Sequence, residues 1–202
     1  LMDHMGKYVA MKAIGPTVPS MYSDERLPED REYGLSFFLP ESTLCTDWLN
    51  RQPPASVVYV AFGSMAQLSQ RQMEELARAL EQIRRPFIWV VRSSERNKLP
   101  PGFPADIAAG LIVSWSPQLD VLAHRSVACF VTHCGWNSTL EALCLGVPVV
   151  ALPQGSDQTT NSKFVADVWR TGVRAVACDG DGGVVDRITI ERCVRDVIEG
   201  EE

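Results

Sequence analysis

The sequence predicts an α/β fold, a parallel sheet with helices on both faces. Three observations carry that expectation. Short runs rich in Val, Ile and Phe recur along the chain, as strands buried on both faces require. Segments with apolar residues at helical spacing separate them, so strand and helix alternate to the end. Two of the strand runs end in loops of polar, ligand-type residues, which describes a crevice at the carboxyl edge of a parallel sheet. With 202 residues, 46% hydrophobic and 22% charged, the chain is long enough for one well-packed globular domain.

Residues 1–6 read as a leftover leader and are set aside. Residues 8–14 are mildly apolar and run into Gly15, Pro16 and Pro19, which block regular structure. Residues 20–40 are charged, proline-bearing and without period, as in a linker laid over a surface. Residues 1–41 are therefore expected to be leader and linker, and 42–202 the folded domain. Leu44, Trp48 and Leu49 share a helical face that Pro53 and Pro54 bring to a stop. Residues 56–62 form a strand by their Val-Val-Tyr-Val run, leading into Gly63 and Ser64. Ser69 and Gln72 make a capping box for a helix whose buried stripe is Met73, Leu76, Ala77 and Leu80. Strands follow at 87–91, 110–115 and 127–131. Asn137 or Ser138 then caps a helix carrying Leu140, Leu143 and Cys144. A buried strand at 147–152 precedes a helix with Phe164, Val165, Val168 and Trp169 on one face. The last helix carries Ile190, Val194, Val197 and Ile198. About six strands are expected, with no internal repeat of sequence.

Charge and composition exclude several classes. A formal charge of −6 and a pI near 5.1 argue against nucleic acid or an anionic membrane surface as partner. No apolar run approaches the roughly 18 residues of a membrane span, and no signal peptide is visible. Cysteines stand at 45, 129, 134, 144, 178 and 193 without a C-x-x-C pair. Several lie inside apolar patterns, where a free thiol behaves as a small hydrophobe, and a cytoplasmic setting is expected.

The chemistry concentrates between Trp115 and Gln158. A β-branched strand empties into His133-Cys134-Gly135 and a polar helix start. Free backbone N–H groups and the helix dipole then point at the same place, which makes it an anion site. The segment opens with Trp115-Ser116-Pro117-Gln118 and passes through Thr132-His133-Cys134-Gly135-Trp136-Asn137-Ser138. It reaches Glu141 and closes with Pro153-Gln154-Gly155-Ser156-Asp157-Gln158, 44 residues in all. In length and register this resembles the signature box of the plant secondary-product UDP-glycosyltransferases, in the donor-binding half of their GT-B fold. The similarity covers most of the chain, from about Ile14-Gly15-Pro16 onward. One departure is Gly155, where the family often carries a bulky aromatic.

The resemblance implies a Rossmann-like sheet, the C-terminal domain of a GT-B glycosyltransferase. It implies inverting transfer of glucose from UDP-glucose to a small hydroxylated acceptor, phenolic or terpenoid-like, without metal or other cofactor. In the family a histidine assisted by an aspartate deprotonates the acceptor, and both belong to the N-terminal half. No catalytic residue is therefore expected here, and an N-terminal acceptor-binding half is the expected partner, possibly as a separate chain. The competing class is a non-catalytic module that holds the nucleotide sugar. A NAD-type oxidoreductase would need G-x-G-x-x-G after a strand, and no such run exists.

Site residues follow by position. Trp115 is read as a stacking platform for uracil, against the alternative of a core tryptophan, with Gln118 beside base and ribose. Glu141 is read as the acceptor for two ribose hydroxyls, against a first-turn acid that merely suits the helix dipole. His133, Asn137, Ser138 and Ser64 form the diphosphate cradle, Ser64 having a turn as its alternative, with Gly63 and Gly135 admitting close backbone approach. Asp157 and Gln158 supply acceptor and donor for vicinal sugar hydroxyls and, with Trp136, select the hexose as the glucose-using members do. Asp157 also stands where it would cap the next helix.

Three patterns carry less. His124, Cys129, His133 and Cys134 match no familiar zinc spacing, and Cys129 lies mid-strand. Asp179, Asp181 and Gly183 suggest a calcium loop, but Val184 occupies the turning glycine's place and Ile190 the bidentate glutamate's. Asn137-Ser138-Thr139 is a glycosylation sequon by pattern only, inside the expected ligand site and without a secretory signal.

Overall fold

The computed structural model describes residues 15, 17–30, 38–103, 110–177 and 182–200. The chain divides into two compact units, Leu1–Leu35 and Ser36–Glu202. In the first, a four-residue helix α1 (Ser20–Ser23) follows Pro19, and the Asp30 carboxylate accepts from the Ser20 N–H at 2.8 Å.

The second unit begins with α2 (Ser42–Leu49) and then alternates. Strands β1 (Val57–Ala61), β2 (Phe87–Val90) and β3 (Gly110–Val113) are separated by α3 (Gln70–Ile83) and a 3₁₀ turn at Ser93–Lys98. Then come α4 (Gln118–Leu122), β4 (Val127–Thr132), α5 (Trp136–Cys144), β5 (Val149–Ala151) and α6 (Gln158–Lys163). The wide turn Phe164–Val168 extends α6, β6 (Gly172–Arg174) closes the sheet, and α7 (Arg187–Arg195) ends in a second wide turn, Asp196–Gly200. Among the described residues six strands form one sheet, all parallel, in the order β3-β2-β1-β4-β5-β6. The winding reverses between β1 and β4, and the carboxyl ends of those two strands are where such a sheet leaves a crevice.

Alternation along β1 explains the two-faced core. Val58 and Val60 join Leu76 and Leu80 of α3 and Ile190 and Val194 of α7. Val57, Tyr59 and Ala61 join Cys45 and Leu49 of α2, Val121 and Leu122 of α4, and Ala142 of α5. Every residue of β1 is buried, as a central parallel strand demands. Tyr59 stacks on Phe130 of β4 at 4.8 Å between centroids, worth about 0.5–1.5 kcal/mol beyond area burial. Helices α3 and α7 are tied together by polar contacts too. Gln72 bonds both the N–H and the C=O of Val185, and Glu75 takes the Arg187 guanidinium in a two-point bond.

Most expected elements are present, Ser69 capping α3 by accepting from Gln72 N–H as its spacing predicts. Four expectations change. The sequence does not mark the short α4 or the edge strand β6; one has five residues behind Pro117, the other a single apolar side chain. The cap of α5 is Gly135, not Asn137 or Ser138, because Cys134 already turns the chain in the left-handed region with φ 60°. The apolar stripe after α6 is not one buried face. The i→i+5 bonding of the wide turn at 164–168, with the Trp169 N–H donating to the Phe164 carbonyl, breaks its register, and only Val165 is buried while Phe164, Val168 and Trp169 remain exposed. Asp179 and Asp181 lie outside the described residues. Among the described residues no helix is long and apolar enough to cross a membrane.

Candidate functional site

The turn from β4 into α5 makes the floor of the crevice. Thr132 ends the strand, Cys134 turns left-handed, and Gly135 stands at the N-cap with no side chain to close the first turn. The leading N–H groups of a helix have no carbonyl within it to reach, so those of Trp136 and Asn137 remain for a ligand. A left-handed non-glycine residue is costly by roughly 1–2 kcal/mol. Here it is held in place, because Asn161 of α6 donates to the Cys134 carbonyl at 3.0 Å. The same amide nitrogen donates to Asp157 Oδ2 at 2.9 Å, so one side chain joins the two loops.

His133 sits between two glycines. A Cβ at Gly63 would lie 2.9 Å from its Nε2, and one at Gly135 would lie 2.5 Å away. Both glycines make room for the imidazole itself, a reason beyond the close phosphate approach expected of them. Gly63 also has φ +69°, a conformation side chains disfavour. Nδ1 of His133 lies 3.2 Å from Thr132 Oγ1. Burial pushes the imidazole below its ordinary pKa, and the charge of Asp157 opposes that shift.

Three of the expected residues are bonded to one another. Gln118 Nε2 donates to Ser138 Oγ at 3.1 Å and to Glu141 Oε2. Glu141 is only 5% exposed, and Ser138 is buried as well. On the other side, Gln118 Oε1 accepts from the Tyr59 hydroxyl at 3.2 Å, which itself lies 2.7 Å from Ser116 Oγ. Glu141 therefore faces the crevice as a carboxylate already holding an amide donor, not as a free surface acid.

Trp115 is half-buried at the end of β3, and Phe38 packs on it with centroids 4.6 Å apart and planes tilted 39°. Glu41 reinforces that position. Its carboxylate accepts from the Ser114 N–H at 2.7 Å, and its own N–H donates to the Trp115 carbonyl at 3.0 Å. Ser64 lies one residue beyond Gly63, and the Arg92 guanidinium binds the carbonyls of Ser64 and Ala66, fixing that loop. Trp136 and Asn137 are exposed at the helix start. Asp157 is exposed and makes no side-chain cap for α6, since its carboxylate goes to Asn161. Gln158 Oε1 instead accepts from the Gln154 N–H at 2.8 Å and closes the loop. Gly155 has φ +151°, and a side chain there would meet open space. The backbone, not crowding, favours glycine at that position.

Sequence reasoning did not single out Tyr59, Ser116, Asn161, Arg92, Phe38 or Glu41 for the site. Tyr59 left one signal, a lone hydroxyl in an otherwise apolar buried strand, which requires a partner. Asn161 left another, standing four residues after Asp157 on one helix face. The His124 ring is engaged by Ser126 Oγ at 2.8 Å and by Asn50 Oδ1 at 3.2 Å. Among the described residues no cluster of three or more His, Cys, Asp or Glu side chains could hold a metal.

Comparison with known proteins places the chain in a family. The chain is 51% identical over 201 residues to a flavonol 7-O-beta-glucosyltransferase of Arabidopsis thaliana, UGT74F1, covering 98% of this chain and 44% of that protein. It is 49% identical over 201 residues to mogroside I-E synthase of Siraitia grosvenorii, covering 99% and 43%. The crystal structure of Os79 from O. sativa in complex with UDP superposes with a TM-score of 0.89 at 43% identity, covering 98% of this chain and 44% of that one. The chain thus spans less than half the length of these relatives. The family described as UDP-glucoronosyl and UDP-glucosyl transferase matches residues 39–181, and the chain belongs to that family.

Proposed function

We propose that this chain is the donor-binding part of a UDP-glucose-dependent glucosyltransferase that passes glucose, with inversion, to a small hydroxylated acceptor. One observation carries the reading. At the reversal of the sheet, a buried carboxylate (Glu141) held by Gln118, whose amide also donates to Ser138, stands beside a helix start and an imidazole seated between glycines. A diol acceptor next to a set of anion donors suits a nucleoside diphosphate, and the similarity to a UDP-bound structure supports that ligand.

In this proposal Trp115 stacks on uracil and Glu141, with Gln118, takes the ribose hydroxyls. His133, Ser138, Ser64, Asn137 and the first N–H groups of α5 hold the diphosphate. Those donors stabilise the charge that gathers on UDP as it leaves, which is the electrostatic share of the catalysis. They serve that purpose without a metal or other cofactor. Asp157, Gln158 and Trp136 face the hexose. The base that deprotonates the acceptor is supplied by an N-terminal half corresponding to the extra length of the relatives; His124 is already held by Ser126 and Asn50. A cytoplasmic setting belongs to the proposal, with burial raising the thiols of Cys129 and Cys134 to about 12 and leaving them inert.

The test has two arms. Calorimetry of the chain with UDP, UDP-glucose and ADP-glucose, with and without a chelator, should show uridine-selective binding that the chelator leaves unchanged. Incubation with UDP-glucose and phenolic acceptors should yield glucoside only when an N-terminal half is added. A strict divalent-metal requirement for binding, or robust turnover by this chain alone, would overturn the assignment of roles.

A further inference from the structure

The chain of bonds behind Glu141 has a fixed direction. A carboxylate only accepts, so the Gln118 amide turns its Nε2 toward Glu141 and its Oε1 the other way. Oε1 also only accepts, so the Tyr59 hydroxyl donates to it. The proton on Ser116 Oγ then completes the set by pointing at the tyrosine oxygen. At the far end, Ser138 Oγ accepts from Gln118, which leaves its own proton to be donated elsewhere. Tyr59 lies in β1 and is fully buried, so its position is set by the sheet rather than by the crevice. Burial also raises its pKa, which keeps the phenol protonated and able to donate. Gln118, by contrast, is the first residue of a five-residue helix, and its amide is held from the crevice side by Ser138 and Glu141 and from the sheet side by Tyr59.

We infer that Tyr59 is a positioning residue for ribose recognition. Its hydroxyl anchors the Gln118 amide, and through it presents Glu141 as the acceptor and Ser138 as a donor toward the bound nucleotide. The inference rests on the reading that Glu141 receives the ribose hydroxyls, and goes beyond it by locating what orients that group.

Tyr59→Phe removes one oxygen and keeps the ring stacked on Phe130, so the core is preserved. The measurement is calorimetric affinity for UDP and for 2′,3′-dideoxyuridine diphosphate, which lacks the hydroxyls in question. Losing one neutral hydrogen bond that orients the acceptor should weaken UDP by roughly three- to tenfold. The dideoxy ligand should be unchanged within about twofold by the same reasoning. Ser116→Ala, one step further back, should give a smaller loss of the same kind, and it carries the test if the phenylalanine variant does not fold. Equal loss of both ligands means generic loosening and overturns the inference, as does no loss of either. Glu141→Gln separates this from the underlying reading. If it weakens UDP selectively while Tyr59→Phe does not, the ribose role stands and the anchoring role fails. If Glu141→Gln affects both ligands alike, the ribose role itself is wrong.

Discussion

Replacing Gly135 by alanine isolates the imidazole seat from everything around it. The glycine has φ −58° and ψ 151°, which alanine adopts without strain. The backbone cost is therefore limited to the poorer N-cap, about 1 kcal/mol or less. The new Cβ, however, would stand 2.5 Å from His133 Nε2, 3.1 Å from Cε1 and 3.3 Å from Cδ2. Ordinary contacts lie near 3.5–4.0 Å, so the ring has to retreat by roughly 1 Å. That distance breaks a hydrogen bond to a charged phosphate, worth roughly 1.5–3 kcal/mol, or about ten- to 150-fold in affinity. Calorimetry should show that loss for UDP and little change for uridine, which has no phosphate. The His133→Ala background provides the cross-check. With the ring gone, the three contacts that crowd the added methyl are removed, so Gly135→Ala should cost little further affinity there. Equal losses for uridine and UDP, or simple additivity of the two substitutions, would refute the seat.

Other predictions follow from the same geometry. Gly63→Ala meets the same ring at 2.9 Å but from φ +69°, so it should lower both UDP affinity and the thermal midpoint, whereas Gly135→Ala mainly affects affinity. Asp157→Ala should spare UDP and weaken UDP-glucose, measured as the ratio of the two dissociation constants; equal weakening would remove Asp157 from the sugar side. The depressed His133 pKa implies stability that is present above the unfolded value of about 6.5 and lost as pH falls through the lower folded value. UDP adds negative charge that favours the imidazolium, so binding near pH 6.5 should take up more protons in the parent chain than in His133→Asn. Calorimetry in buffers of differing ionisation enthalpy reads that difference. Gln72→Ala strands the buried N–H and C=O of Val185 and should cost about 2–4 kcal/mol, seen by denaturant unfolding with UDP affinity conserved.

Legibility from sequence followed the strength of the local signal. Strands β1, β2, β4 and β5 announce themselves because central parallel strands need unbroken apolar, β-branched runs. The edge strand Gly172–Arg174 has only Val173 to show, and its pairing with β5 supplies what its composition does not. The sequence places the start of α5 two or three residues late because side-chain caps are visible in a sequence and a left-handed Cys134 is not. Site residues were findable one by one, as residue types beyond strand ends. Their contacts were not, since Gln118 and Glu141 lie 23 residues apart and Tyr59 and Ser116 lie 57 apart. Only the sheet order brings the ends of β1, β3 and β4 together. The supporting residues, Asn161, Arg92 and Glu41, act by bonding the backbone of other segments, which leaves no periodicity to read.

Nuclear magnetic resonance of the isotope-labelled chain during titration with UDP tests most directly whether the crevice beyond β1 and β4 is the nucleotide site. The expected shifts are confined to the amides of Gly63, Ser64, Gly135, Trp136, Asn137 and Ser138, the Trp115 indole, the Gln118 side-chain amide and the His133 ring. Absence of shifts at millimolar UDP, or shifts gathered at the opposite end of the sheet in the pocket among Leu143, Pro148, Val173 and Val197, would contradict it.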